Sequence, residues 1–190
     1  MSENEYAFGR PPKLEPTFGQ LKGQPAALAK ESPSGHISLF LSGENWDSFK
    51  NELIALAIEC FPEYGFTPQS LEQVFTEKFS NDLIVLLQNK ENMNLVGFSV
   101  AHINIHKPDV ANIELTGVAK EARGHKLVGE LLSRLEEELK QRGVKFLTRE
   151  SRINDGYADA IERHYGERVI EKKNSVTGRS NPIRRFKIEL

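Results

Sequence analysis

Chemical character in this chain concentrates between Glu114 and Gly129. The string Glu-Leu-Thr-Gly-Val-Ala-Lys-Glu-Ala-Arg-Gly-His-Lys-Leu-Val-Gly reads as a strand, a tight turn at Arg123-Gly124 and, directly after it, a helix. Ile113, Leu115 and Val118 give the strand its apolar content. Leu127, Val128, Leu131, Leu132, Leu135 and Leu139 recur at helical spacing. A helix that begins this abruptly points bare backbone N–H groups, and the positive end of its dipole, at whatever lies in front of it, which makes a seat for phosphate. Gly124 has no Cβ and lets a ligand approach the backbone. Arg123, His125 and Lys126 add cationic or polar side chains at the same spot. The pattern therefore points to an anionic ligand. Two common phosphate motifs are excluded, because neither G-x-x-x-x-G-K-[ST] nor G-x-G-x-x-G occurs in the chain.

The elements that must position this segment follow from periodicity. His36–Leu41 alternates as a strand, and Trp46–Phe61 carries Trp46, Phe49, Leu53, Ala57 and Cys60 on one helical stripe before Pro62. Residues 70–79 form a second helix. Strands follow at 82–88, 95–106 and 111–119, with a polar turn at 90–94 and another at Lys107-Pro108-Asp109. The long helix spans 127–142 and ends at Gly143. On it Glu130/Arg134, Glu136/Lys140 and Glu138/Arg142 are four apart, which supports an exposed face. A strand at 144–150, a short helix at 157–165 and strands at 168–175 and 183–190 complete the order β-α-α-β-β-β-α-β-α-β-β. Central hairpins imply a mixed sheet rather than a purely parallel one.

Composition narrows the class. The 190 residues suit one domain, and 38% hydrophobic with 27% charged residues is ordinary for a soluble protein. A net charge of −2 gives no reason to expect nucleic acid as a partner. The single cysteine excludes an internal disulfide and fits a reducing, cytoplasmic setting. No apolar run approaches the ~20 residues of a membrane helix, and the acidic start lacks the core of a signal peptide. Residues 1–34, with five prolines, read as a flexible Pro-rich N-terminal tail, either a tether or a partner-binding segment around Phe8–Phe18. Residues 35–190 form the folded domain.

The loop and the element order together resemble the GNAT (GCN5-related) N-acetyltransferase superfamily. Its loop runs roughly Val-x-x-x-x-Arg-Gly-x-Gly-x-Gly/Ala into a leucine-rich helix; Val118, Arg123, Gly124, Leu131 and Leu132 match. Lys126 stands where the family usually has its second Gly, and Val128 where it often has a small residue. The resemblance covers nearly the whole chain after the tail. It implies an α/β (α+β) GNAT fold, a central mixed, mostly antiparallel twisted sheet flanked by helices. It also implies an N-acetyltransferase that uses acetyl-CoA as acyl donor and a small-molecule or peptide amine as acceptor. The backbone of Thr116, Gly117 and Val118 would contact the pantetheine arm, in a splay between two parallel strands. Arg123, Gly124, His125, Lys126, Leu127, Val128 and Gly129 would hold the pyrophosphate. The acceptor pocket would come from residues 45–79 and the closing hairpin.

Acyl transfer needs a base, an acid and a donor for the oxyanion. Glu114 is the candidate base. It shares a strand face with Asn112, Thr116 and Val118, and an acid in so apolar a strand is either buried with a raised pKa or paired at the surface. The family often places this base two residues earlier, at Asn112. Tyr165 is the candidate acid, within a run of Asn154, Ala158 and Tyr165 that resembles the family's Asn-x-x-Ala-x-x-x-Tyr. If Gly166 is the family's glycine, Glu162 takes the tyrosine's place, and Tyr165 is a core residue. Asn154 contacts cofactor amides or caps the helix. His102, Asn104 and His106 share a strand face, but His residues at i, i+4 on a strand sit ~13 Å apart, too far for one metal, so none is expected. His102 is either a base acting through water or a satisfied sheet histidine. Lys172, Lys173, Arg179, Arg184, Arg185 and Lys187 make a charged closing hairpin or a surface for an acidic substrate. An exposed final strand allows a homodimer. A binding or regulatory module of the same shape, or a partner-directed effector, is the alternative to an enzyme.

Overall fold

The computed structural model describes residues 29–31, 34–41, 45–78, 82–153, 157–176 and 182–190. Asn154, Arg179 and residues 1–28 of the tail lie outside the described residues. The elements are β1 (Ala29–Glu31), β2 (His36–Phe40), α1 (Trp46–Cys60), α2 (Pro68–Lys78), β3 (Asp82–Asn89), β4 (Leu95–Ile103), β5 (Val110–Val118), α3 (Leu127–Gln141), β6 (Phe146–Arg152), α4 (Tyr157–Tyr165), β7 (Val169–Val176) and β8 (Pro182–Glu189). One sheet runs β1-β2-β3-β4-β5-β6-β8-β7. Every pair is antiparallel except β5–β6, which is parallel and joined through α3. The mixed, mostly antiparallel sheet read from the sequence is the one observed.

Each face of the sheet carries a core. Leu83, Val85 and Leu87 of β3 point to the α3/α4 side, and Ile84 and Leu86 to the α1/α2 side. That double burial explains why β3 is a continuous apolar run. α3 lays Leu131, Leu132, Leu135 and Leu139 into the first core, each almost fully buried, and its chain turns away at Gly143 with φ 82. Phe75 and Phe98, edge to face at 6.0 Å, anchor the second core. No helix among the described residues is long and apolar enough to cross a membrane.

Several details differ from the sequence reading. Ala29–Glu31, read as part of the tail, adds a short edge strand to β2; its three residues are exposed, so no hydrophobic alternation signals it. β4 ends at Ile103, so Asn104 and His106 belong to the turn, and the Asn104 side chain accepts from the backbone of His106 and Lys107. The final strand, β8, lies inside the sheet between β6 and β7, so the edge is β7. β7 carries Glu171, Lys172 and Lys173, and charged side chains on an edge oppose strand-to-strand pairing. Of the i, i+4 pairs expected on α3, Glu138–Arg142 forms at 2.9 Å. Glu136 instead is buried under α4 and pairs with Arg168 at 2.7 Å.

Candidate active site

The β5–β6 ladder is short. Parallel pairing runs from Val110↔Phe146 to Ile113↔Arg149 and then stops. Beyond it, β6 pairs only with β8, and β5 only with β4. The sheet therefore opens into a wedge whose vertex is Ile113/Arg149, and a cleft of about 470 Å³ fills it. Backbone polar groups on the open edge of β5 lose their ladder partners and become available to a ligand. That edge runs five residues from Ile113 to Val118, about 16 Å at strand rise.

A bulge sits at the vertex. Val100 faces Leu115 and Ala101 faces Ile113, which leaves Glu114 as the extra residue. The bulge breaks simple alternation: Ile113 and Val118, an odd number of residues apart, join the same core. Asn112 thus does not share the face of Glu114, Thr116 and Val118, and its side chain instead accepts from Thr148 Oγ1 at 3.1 Å. Glu114 lines the cleft and is exposed, because β6 has already diverged beside it. Of the two readings of this acid, buried or at the surface, the buried one is not what is found.

The other end of the cleft is the loop before α3. Gly124 has φ 89, open to glycine, and Lys126 has φ 61 at the residue preceding α3. A left-handed lysine costs roughly 1 kcal/mol, which gives a physical reason why a glycine suits this position. The N-cap residue of α3 makes no side-chain cap; the Gly129 N–H goes to the Lys126 carbonyl at 2.9 Å, and the N–H groups before it, at Leu127 and Val128, are the ones a helix start offers to another acceptor. Arg123, exposed like Gly124, His125 and Lys126, lines the cleft and donates from Nε to the Val118 carbonyl at 3.1 Å. Val128 lines the cleft, whereas Leu127 is buried in the α3 core. Gly129 lies outside the cleft and faces His164, a built Cβ meeting that ring at 3.8 Å.

Thr116 lines the cleft with its hydroxyl 2.8 Å from Ser99 Oγ. Gly117 turns the opposite way; a built Cβ would lie 2.7 Å from Phe98 Cε1 and 2.9 Å from Cys60 Sγ. Cys60, at the end of α1, also lines the cleft. Burial pushes its thiol up, against the opposing charge of Arg123, and Sγ donates to the Val118 carbonyl at 3.5 Å.

Tyr165 does not reach this site. It is 3% exposed, its ring sits under Arg168 at 5.0 Å, and it is absent from the cleft wall. Ala158, Ile161 and Tyr165 form the buried stripe of α4. Burial first, then the neighbouring Glu136 carboxylate, raise the phenol well above the ordinary tyrosine range. Burial works the other way on Glu136, but hydrogen bonds from His164 and Arg168 prevail and hold it below the usual carboxylate range. The hydroxyl of Tyr165 makes no well-formed hydrogen bond among the described residues. Tyr165→Phe should therefore change stability by under about 1 kcal/mol and leave turnover within about twofold, read by thermal melting and thiol release. A hundredfold loss of turnover would restore Tyr165 to the chemistry. Glu162, at the alternative register, is held by Lys172 at 3.0 Å and by Arg184.

The cleft wall contains groups that the sequence reading passed over: Glu63 and Tyr64 after α1, Arg149 and Arg152 of β6, and Tyr157 at the start of α4. An arginine at the inward position of an alternating strand, Leu147-x-Arg149-x-Ser151, was the available signal. Arg152 pairs with Glu63 at 2.8 Å. The Tyr157 hydroxyl accepts from Arg149 Nη2. Among the described residues, the closing hairpin lines none of this wall. Its cations are largely committed: Lys172 and Arg184 to Glu162, Arg185 to Glu150, Lys173 to Glu171. His102 Nδ1 lies 2.6 Å from Asp82 Oδ1 on the paired strand, a satisfied sheet histidine. Among the described residues no three His, Cys, Asp or Glu groups gather as a metal site.

The cleft is thus a wedge between parallel strands, with a bulge at its vertex and the start of α3 at its mouth. The model of the Acetyltransferase (GNAT) family matches residues 46–164, more than half of the chain, and the chain belongs to that family. The fold is shared with the ribosomal-protein-S18-alanine N-acetyltransferase of Escherichia coli, at TM-score 0.60 and 18% identity over 80% of this chain and 93% of that one. The Brucella melitensis ribosomal-protein-alanine N-acetyltransferase gives 0.63 and 16%, over 80% and 99%. Salmonella typhimurium yncA, solved with its cofactor acetyl-CoA, gives 0.61 and 10%, over 82% and 94%. At these identities the likeness is one of fold. No curated protein matches the chain in sequence.

Proposed function

We propose that this chain transfers an acetyl group from acetyl-CoA to a primary amine by direct attack within a ternary complex. The observation that carries the reading is the wedge itself: an open strand edge about 16 Å long joins the α3 N-terminus to Glu114 at the bulge. Arg123, Gly124, His125, Lys126 and the first N–H groups of α3 would hold the pyrophosphate. The edge from Glu114 to Val118 would pair with the pantetheine amides. Acetyl-CoA supplies an activated acyl group. The protein's share is proximity and charge: the wedge holds amine and acyl carbon together, a backbone N–H near the bulge polarises the carbonyl, and Glu114 takes the proton of the acceptor's ammonium, directly or through water.

The acceptor would lie beside Glu63 and Tyr64, which line the same cleft. Ribosomal-protein alanine N-acetyltransferases share the fold, so a peptide amine and a small-molecule amine both suit the reading. A binding module with little turnover is the second reading; the withdrawal of Tyr165 into the core and of Glu162 into ion pairs favours it. Gly124→Val tests the loop. A β-branched residue at φ 89 must rebuild the turn, and calorimetry should show acetyl-CoA affinity falling at least about tenfold. Unchanged affinity would place the phosphates elsewhere.

A further inference from the structure

Arg149, at the vertex, lies over the Tyr157 ring at 4.9 Å but has no acidic partner among the described residues. Its side chain is 96% buried, being 4% exposed. Nη2 is used by the Tyr157 hydroxyl, and Nη1 is buried with no hydrogen-bond partner among the described residues. No carboxylate among them lies within ion-pair distance, whereas its neighbours are committed: Arg152 to Glu63 and Arg185 to Glu150. Leaving a guanidinium buried without an anion is costly, so this geometry points to a ligand that supplies one.

The position excludes the phosphate end. Arg149 is paired with Ile113 at the vertex, five residues of strand, about 16 Å, from Val118 and the loop. A charge that develops only in passing does not repay burial in the resting protein; a bound carboxylate does, and the planar fork of arginine matches it. Glu114 follows Ile113 directly, and neighbouring strands stand about 4.8 Å apart. Amine at Glu114 and carboxylate at Arg149 thus lie within the span of one small molecule.

We propose that the acceptor is a small amine that carries its own carboxylate, an amino acid, and that Arg149 binds that carboxylate. This rests on the acetyltransferase reading above. The test follows thiol release from acetyl-CoA with matched pairs: each amino acid against its carboxamide, for the wild type, Arg149→Gln and Arg149→Lys. The expected wild-type preference for the acid is about 100-fold in kcat/KM. Arg149→Gln should collapse that ratio toward one, mainly through KM for the acid, and Arg149→Lys should recover only part of it. The ratio cancels any common effect transmitted through Tyr157.

Equal use of acid and amide by the wild type, use of amides alone, or no use of any acid in the panel overturns the proposal, as does loss of both rates in Arg149→Gln with the ratio kept. If Arg149→Gln does not fold, the wild-type ratio and the lysine variant still decide. Calorimetry with acetyl-CoA separates the two levels. No cofactor binding sinks the acetyltransferase reading itself, while binding without acid preference sinks only this inference.

Discussion

Glu114→Gln should lower turnover about 10²- to 10³-fold, the usual worth of a positioned base, while acetyl-CoA affinity stays within about twofold. Glu114 is the extra residue of the bulge, lines the cleft and is exposed, so the substitution removes a charge without opening a core. Thiol release with any amine acceptor found by screening, next to calorimetry on the same preparation, reads both quantities. Raising pH in the variant should recover part of the rate, because the free amine fraction then no longer depends on the missing base. A variant that turns over at the wild-type rate would remove Glu114 from the chemistry and favour water or another group.

Gly117→Ala should cost about 1–3 kcal/mol of folding stability, and Gly117→Val more, as expected of overpacking in a closed core. The backbone here is ordinary strand; the constraint is space. An added Cβ would press on Phe98 Cε1 at 2.7 Å and on Cys60 Sγ and Cβ at 2.9 and 3.1 Å. Phe98 is fully buried between Phe61 and Phe75 and has nowhere to go. Urea denaturation checks the loss, and an alanine variant as stable as the wild type would show that β5 and α1 are not packed this closely. The same contact explains the role of Gly117 in the site: it brings α1 and Cys60 against the strand and leaves only its backbone to a ligand.

The sequence made some of this legible for physical reasons. α3 was readable because five of its leucines keep one phase and Gly143 stops it. β3 to β5 were readable because apolar runs and polar turns alternate. β1 was not, because three exposed residues held by backbone bonds to β2 leave no pattern. The loop at Arg123–Lys126 was legible as a turn running directly into α3, with Lys126 where the family usually has a glycine; its left-handed backbone was seen only in the fold. The bulge was not, since it is a property of pairing between β4 and β5, and it moved Asn112 off the face assigned to Glu114. Tyr165 was drawn into the site by its likeness to a family position, although its spacing from Ala158 and Ile161 already placed it on the buried stripe of α4. Arg149 and Tyr157 escaped because they meet only where β6 leaves β5.

The central claim is that one ligand spans the wedge from the α3 N-terminus to the bulge. Backbone amide hydrogen exchange with and without saturating acetyl-CoA tests it most directly. Protection should rise at residues 114–118 and 124–129 together, with β1, β2 and β7 unchanged. Protection confined to either stretch, or none at cofactor concentrations far above cellular levels, would contradict it.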